Sequence, residues 1–84
     1  MTFPPHLWQQ LKSVTADELI RALVKDGWSL DARRGAEQVY FHPNGRRVSI
    51  HYHPRKTYGP KLLKSLLADI GWDEKDYRRL GLIR

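Results

Sequence analysis

The sequence predicts an α+β fold: one helix, three antiparallel strands and a second helix, with both helices covering one sheet face and leaving the other open. Three observations carry this expectation. A capping pattern from Thr15 to Glu18 precedes apolar residues at helical spacing, the apolar period changes to two after Gly27, and the Gly59-Pro60 break precedes leucines at helical spacing again. Short helical extensions flank these elements. At 84 residues the chain reads as a single small domain over 1–84, with a core at 15–71, an N-terminal extension at 1–14 and a C-terminal extension at 72–84.

Thr15 stands three residues ahead of Glu18, the spacing at which a hydroxyl and a carboxylate each satisfy an amide left unpaired at a helix start. Leu19, Ile20, Leu23 and Val24 then form an apolar stripe, and Asp26-Gly27 closes the helix. Ahead of it, Pro4 to Leu11 reads as a short helix begun by its prolines and docked through Leu7, Trp8 and Leu11.

Beyond Gly27, Trp28, Leu30 and Ala32 alternate with Ser29 and Asp31, so a first strand runs to Arg33-Arg34-Gly35. Gln38 to His42 and Arg47 to His53 read as two more strands joined by His42-Pro43-Asn44-Gly45-Arg46. A three-residue loop, with Pro43 opening a type I turn and Gly45 in the left-handed position, pairs Tyr40 with Val48, Gln38 with Ile50 and Glu37 with His51. A two-residue Asn44-Gly45 turn would shift the register by one and set Glu37 beside Tyr52 instead. The first geometry is preferred because it uses Pro43.

Gly59-Pro60 opens the second long helix, whose Leu62, Leu63, Leu66, Leu67 and Ile70 form the apolar face, with Lys61 and Lys64 on the polar side and Gly71 at the end. Trp72-Asp73-Glu74 offers a cap for a short terminal helix carrying Tyr77 and Leu80.

Charge is distributed unevenly. The net charge is +6, yet between Glu37 and Asp69 there is no carboxylate, while Arg46, Arg47, Arg55, Lys56, Lys61 and Lys64 all fall there with His42, His51 and His53. Such a footprint suits a polyanion, although a charge run also serves simply as a solvated face. With no cysteine there is no disulfide, thiolate metal site or cysteine nucleophile. No stretch approaches the ~20 apolar residues of a membrane span, so the expectation is a soluble, cytoplasmic protein with no membrane partner.

Asp17-Glu18-Leu19-Ile20, Asp26-Gly27-Trp28, Arg34-Gly35, His42-Pro43-Asn44-Gly45-Arg46, His53-Pro54 and the stretch from Pro60 to Leu67 together resemble the small HicA-type toxins of bacterial toxin-antitoxin modules. The resemblance covers about Thr15 to Gly71 in consistent order. It implies a fold similar to the double-stranded-RNA-binding domain, mRNA cleavage independent of the ribosome, and neutralisation by a HicB-type antitoxin. It also implies a catalytic histidine directly after a Gly-Ser pair at the start of the second strand. Here the corresponding run is Gly35-Ala36-Glu37-Gln38, with Glu37 in the histidine's place.

Metal-free RNA cleavage needs a base for the 2′-hydroxyl proton, an acid for the leaving 5′-oxygen, and cations for the charge that builds up at phosphorus. Glu37 is the candidate base, His51 or His53 the candidate acid, and Arg47, Arg55 or Lys56 the clamp; an ordinary cross-strand ion pair is the plainer reading of the same residues. Arg33, Arg34, Arg46, Lys61 and Lys64 complete the candidate RNA-binding set. His42, beside a turn proline, reads as a local hydrogen-bonding residue. Trp28, Tyr40 and Tyr52 could stack on bases, but aromatic residues at strand period more often pack. His51 and His53 have the spacing of a metal pair; lacking a third ligand cluster beyond Glu37, the sequence is read as holding no metal and no cofactor. The partners expected are mRNA or single-stranded RNA and a HicB-type antitoxin. Two classes stay open, a metal-independent endoribonuclease and a module of the same fold that binds RNA or the antitoxin without cutting.

Overall fold

A computed structural model describes residues 4–53 and 57–84. The candidates Arg55 and Lys56, and Pro54 beside them, lie outside the described residues. The elements are α1 (Pro5–Leu11), α2 (Ala16–Lys25), β1 (Ser29–Arg34), β2 (Glu37–Phe41), β3 (Arg47–His51), α3 (Pro60–Ile70) and α4 (Glu74–Arg79). The strands form one antiparallel sheet in the order β1-β2-β3. This is the expected α+β architecture, consistent with the HicA-like, double-stranded-RNA-binding-domain-like arrangement.

Reciprocal capping starts α2: Thr15 Oγ1 accepts from the Glu18 amide at 3.3 Å, and Glu18 Oε1 accepts from the Thr15 amide at 3.1 Å. Leu19, Ala22 and Leu23 are buried, but Val24 is 59% exposed, contrary to its expected place in the apolar stripe. Five residues past Leu19, it sits about 140° away around a helix of ~3.6 residues per turn. Leu62 departs in the same way. It is 50% exposed while Leu63, Leu66, Leu67 and Ile70 are buried, because it lies at the margin of that stripe.

In β1 the strict alternation fails. Trp28, just before the strand, is buried, but Leu30 is 43% exposed, and the pairing with β2 shifts between Leu30 and Ala32. The extra residue, Asp31, reaches Arg47 across the open face at 2.9 Å. The β2–β3 hairpin takes the three-residue loop. The His42 amide donates to the Arg46 carbonyl and the Gly45 amide to the His42 carbonyl, both at 2.9 Å, with Gly45 at a φ of 99°. The register accordingly pairs Tyr40 with Val48, Gln38 with Ile50 and Glu37 with His51.

Tyr40, Val48 and Ile50 point inward from the sheet and join Leu19 and Leu23 of α2 and Leu63, Leu67 and Ile70 of α3 in one core. Both terminal extensions enlarge it. Leu7, Leu11 and Val14 from one end, and Trp72, Tyr77, Leu80 and Ile83 from the other, are buried in the same cluster. No helix among the described residues is long and apolar enough to cross a membrane.

Candidate nucleic-acid interface

The open sheet face is built from alternate residues of three strands. Since cross-strand partners share a face, Glu37 of β2 stands between Arg34 of β1 and His51 of β3, and Phe41 stands between Ser29 and Arg47. His51 Nε2 lies 3.8 Å from Glu37 Oε2, an ion pair when the imidazole is protonated. Arg34 is exposed and makes no ion pair among the described residues. Arg47 is held on both sides, by Asp31 and by the Phe41 ring, whose centroid is 5.3 Å from its guanidinium carbon.

His53, two residues beyond His51, is exposed past the end of β3. Together with His51, Thr57, Tyr58, Gly59 and Leu62 it lines a cleft of about 290 Å³. The Tyr58 hydroxyl donates to the His51 carbonyl at 3.3 Å, and burial pushes the phenol up to about 12. A larger hollow of about 430 Å³ lies elsewhere, along α2, among Asp17, Ile20, Arg33, Gly35, Gln38 and Tyr52.

The remaining candidates do not converge on the open face. Arg33 pairs with Gln38 in the sheet, and therefore sits on the helix-covered side. Arg46 serves the fold: its guanidinium donates to the Ile70 carbonyl at the end of α3 and lies over the Trp28 ring, 5.2 Å from the centroid. Lys64 Nζ sits 4.7 Å from the centroid of Trp8 in α1, and Lys61 is exposed on the first turn of α3. His42 takes the local role expected of it, its Nδ1 accepting from the Asn44 amide at 3.1 Å. Base stacking is closed to Trp28 and Tyr40, which are buried, and the Tyr52 hydroxyl is bound to Asp17 at 2.8 Å. Among the described residues no group of three His, Cys, Asp or Glu side chains is placed to hold a metal ion.

The family model for the HicA toxin of bacterial toxin-antitoxin systems matches residues 16–72, which is more than half of the chain. The chain belongs to the HicA toxin family. No curated protein matches it. The HicA match begins with the first residue of α2 and ends at Trp72, so it contains the sheet, both long helices and the Glu37–His51 pair, while α1 and α4 fall outside it. Membership of a toxin family of this kind implies an antitoxin partner.

Sequence reasoning missed three features of this HicA site. Asp31 reaches the open face only through the β1 irregularity, for which the sequence carries no signal. The engagement of Arg46 at the end of α3 is hidden because a charge run does not disclose which cation caps a helix. Leu62 and Tyr58 went unremarked as cleft residues, although the angular position of Leu62 at the edge of its stripe was a usable sign.

Proposed function

We propose that this HicA-family chain acts as a metal-independent endoribonuclease on single-stranded mRNA, with Glu37 as general base, His51 as general acid and Arg34 as a phosphate contact. The observation that carries this reading is the Glu37–His51 pair, 3.8 Å apart on an open sheet face with Arg34 beside the carboxylate. A general base must act as the carboxylate and a general acid as the imidazolium, and this pair brings one group of each kind to a single place. In-line attack puts the 2′-oxygen and the leaving 5′-oxygen on opposite sides of phosphorus, so the scissile phosphate must part the two side chains. Both are solvent-accessible. His53, beyond the strand end, is the acid if His51 swings away, and exposed Lys61 extends the cationic path.

A HicB-type antitoxin is the proposed partner, an acidic protein competing with RNA for Arg34, Arg47 and Lys61. A second reading is favoured by one observation: Arg47 is neutralised by Asp31 and His51 faces Glu37, so the face carries pairs of opposite charge, as a recognition surface without turnover would. Incubating labelled single-stranded RNA with the protein in EDTA, beside Glu37→Ala and His51→Ala, decides between them. Cyclic-phosphate ends formed by the wild type and lost in Glu37→Ala are expected; intact RNA with salt-sensitive binding would establish the recognition module.

A further inference from the structure

The cleft beside the Glu37–His51 pair is lined by His51 itself and by His53, Thr57, Tyr58, Gly59 and Leu62, of which Leu62 serves neither the core nor the proposed proton transfers. Leu62 is 50% exposed and Tyr58 is half-buried. An exposed leucine next to aromatic and imidazole surfaces offers a planar ring both an apolar contact and stacking faces. At about 290 Å³, the volume falls just below the ~300 Å³ from which sites for drug-sized ligands begin, which suits one flat ring rather than a folded partner.

His51 belongs to both places, its ring meeting Glu37 and its residue lining the cleft. A nucleotide whose phosphate enters between Glu37 and His51 therefore has its neighbouring base within reach of Leu62. Lys61, the residue before Leu62 on α3, is exposed at the same end to meet the following phosphate. The Tyr58 hydroxyl is already bound to the His51 carbonyl, so the cleft presents the phenol as a fixed wall rather than as a free donor. Discrimination here rests on ring contact more than on hydrogen-bond readout.

We propose that the Leu62–Tyr58–His53 cleft is a nucleobase subsite that holds the base flanking the scissile phosphate of single-stranded RNA. The assignment rests on the proposed ribonuclease reading for the position of that phosphate. It gives Leu62 a role in positioning substrate, and it accounts for an apolar side chain kept in water at the rim of the candidate site.

Affinity for a 2′-O-methyl RNA hexamer, which cannot be cut by 2′-hydroxyl attack, tests the site in EDTA. The same hexamer with one abasic position, scanned along the strand, serves as the comparison. Leu62→Ala, at an exposed position that leaves the core intact, is expected to weaken the full hexamer about tenfold. It should weaken the hexamer abasic at the occupied position little, with the slope of affinity against salt unchanged because no phosphate contact is lost. Leu62→Phe should restore affinity. Equal loss on both oligomers, or no loss on either, overturns the subsite.

Cleavage of the unmodified hexamer by the wild type and by Glu37→Ala is read in parallel. Cleavage without any Leu62 dependence removes the base site alone. Leu62-dependent binding without cleavage sustains the site and removes only the chemistry, and no binding to any hexamer removes both.

Discussion

The indole N–H of Trp72 donates to Asp26 Oδ2 at 2.7 Å, joining the end of α2 to the second residue past α3. The same carboxylate accepts from the Trp28 indole at 3.1 Å and pairs with Arg79 of α4. With a side chain only 8% exposed, Asp26 is the polar centre about which the far end of the molecule closes, and it secures the C-terminal extension to the family core.

Replacing Asp26 by alanine leaves two buried indole N–H groups without their acceptor and Arg79 without this partner. The expected loss is about 2–4 kcal/mol, from several charge-assisted hydrogen bonds in one place, with Asp26→Asn costing less because both indoles donate to Oδ2, where an amide oxygen can still accept from them, and only the Arg79 partner at Oδ1 is lost. Urea unfolding of the three proteins at neutral pH measures it. A loss for Asp26→Ala of under half a kcal/mol would show that the network contributes nothing net.

The same contacts set the response to acid. Burial alone would raise the Asp26 carboxyl, but hydrogen bonds from Arg79, Trp72 and Trp28 outweigh it and hold the group below its ordinary value of 3.8. Asp76 is lowered too, by the Asp73 amide at the start of α4 and by Arg79. A carboxylate depressed in the folded state stabilises above its unfolded value, and that contribution disappears as pH falls through the folded value. The melting temperature should therefore be insensitive to these groups near neutrality and fall below about pH 4. In Asp26→Asn the fall should be shallower; an identical acid profile would exclude Asp26 as its source.

Arg46→Ala should act on stability rather than on RNA. It removes the cap on the Ile70 carbonyl and the cation over Trp28, a loss of about 1–3 kcal/mol for a partly buried charged donor. Gly71→Ala should also destabilise. Its φ of 81° disfavours a side chain, and an added Cβ would lie 3.3 Å from Arg46 Nη1. Thermal unfolding and RNA titration on the same samples separate the effects; unchanged stability with weakened RNA binding would reverse the assignment.

Features legible in the sequence were those set by local rules. The Thr15–Glu18 box, the Pro43-to-Gly45 loop and the register it imposes all follow from chemistry within a few residues, and Glu37 opposite His51 came with that register. Features that depend on distant neighbours were not legible. Asp26 meets Trp72 across 46 positions and Arg46 meets Ile70 across 24, and nothing in the spacing of either charge reveals its partner. The letters place Ala32 on the face of Trp28 and Leu30, but the irregularity at Asp31 interrupts that period of two and pairs Ala32 with Val39 on the open face.

Arg34 and Arg47 share the open face but differ in freedom, so their removal should differ as well. Arg34 has no ion-pair partner among the described residues, whereas Arg47 is already engaged by Asp31 and Phe41. Arg34→Ala should weaken RNA binding and reduce the slope of log affinity against log salt by about 1, the mark of one lost phosphate contact. Arg47→Ala should change the slope less. Filter binding across a salt series would expose the opposite order, which would mean that Asp31 releases Arg47 when RNA arrives.

In the proposed chemistry Glu37 is the base, and Glu37→Gln and Glu37→His test it in opposite directions. Glutamine keeps the size and polarity of the side chain but cannot take a proton, so cleavage should fall about 10²-fold or more while RNA binding remains. Histidine returns the group that the family resemblance places there and should keep cleavage measurable. Because an imidazole holds its proton to higher pH than a carboxylate, the low-pH limb of the rate profile should move upward in Glu37→His. Single-turnover rates on an RNA oligomer across pH, in EDTA, give both results. Equal rates for wild type and Glu37→Gln would remove Glu37 as the base, and a profile that does not move in Glu37→His would assign that limb to another group.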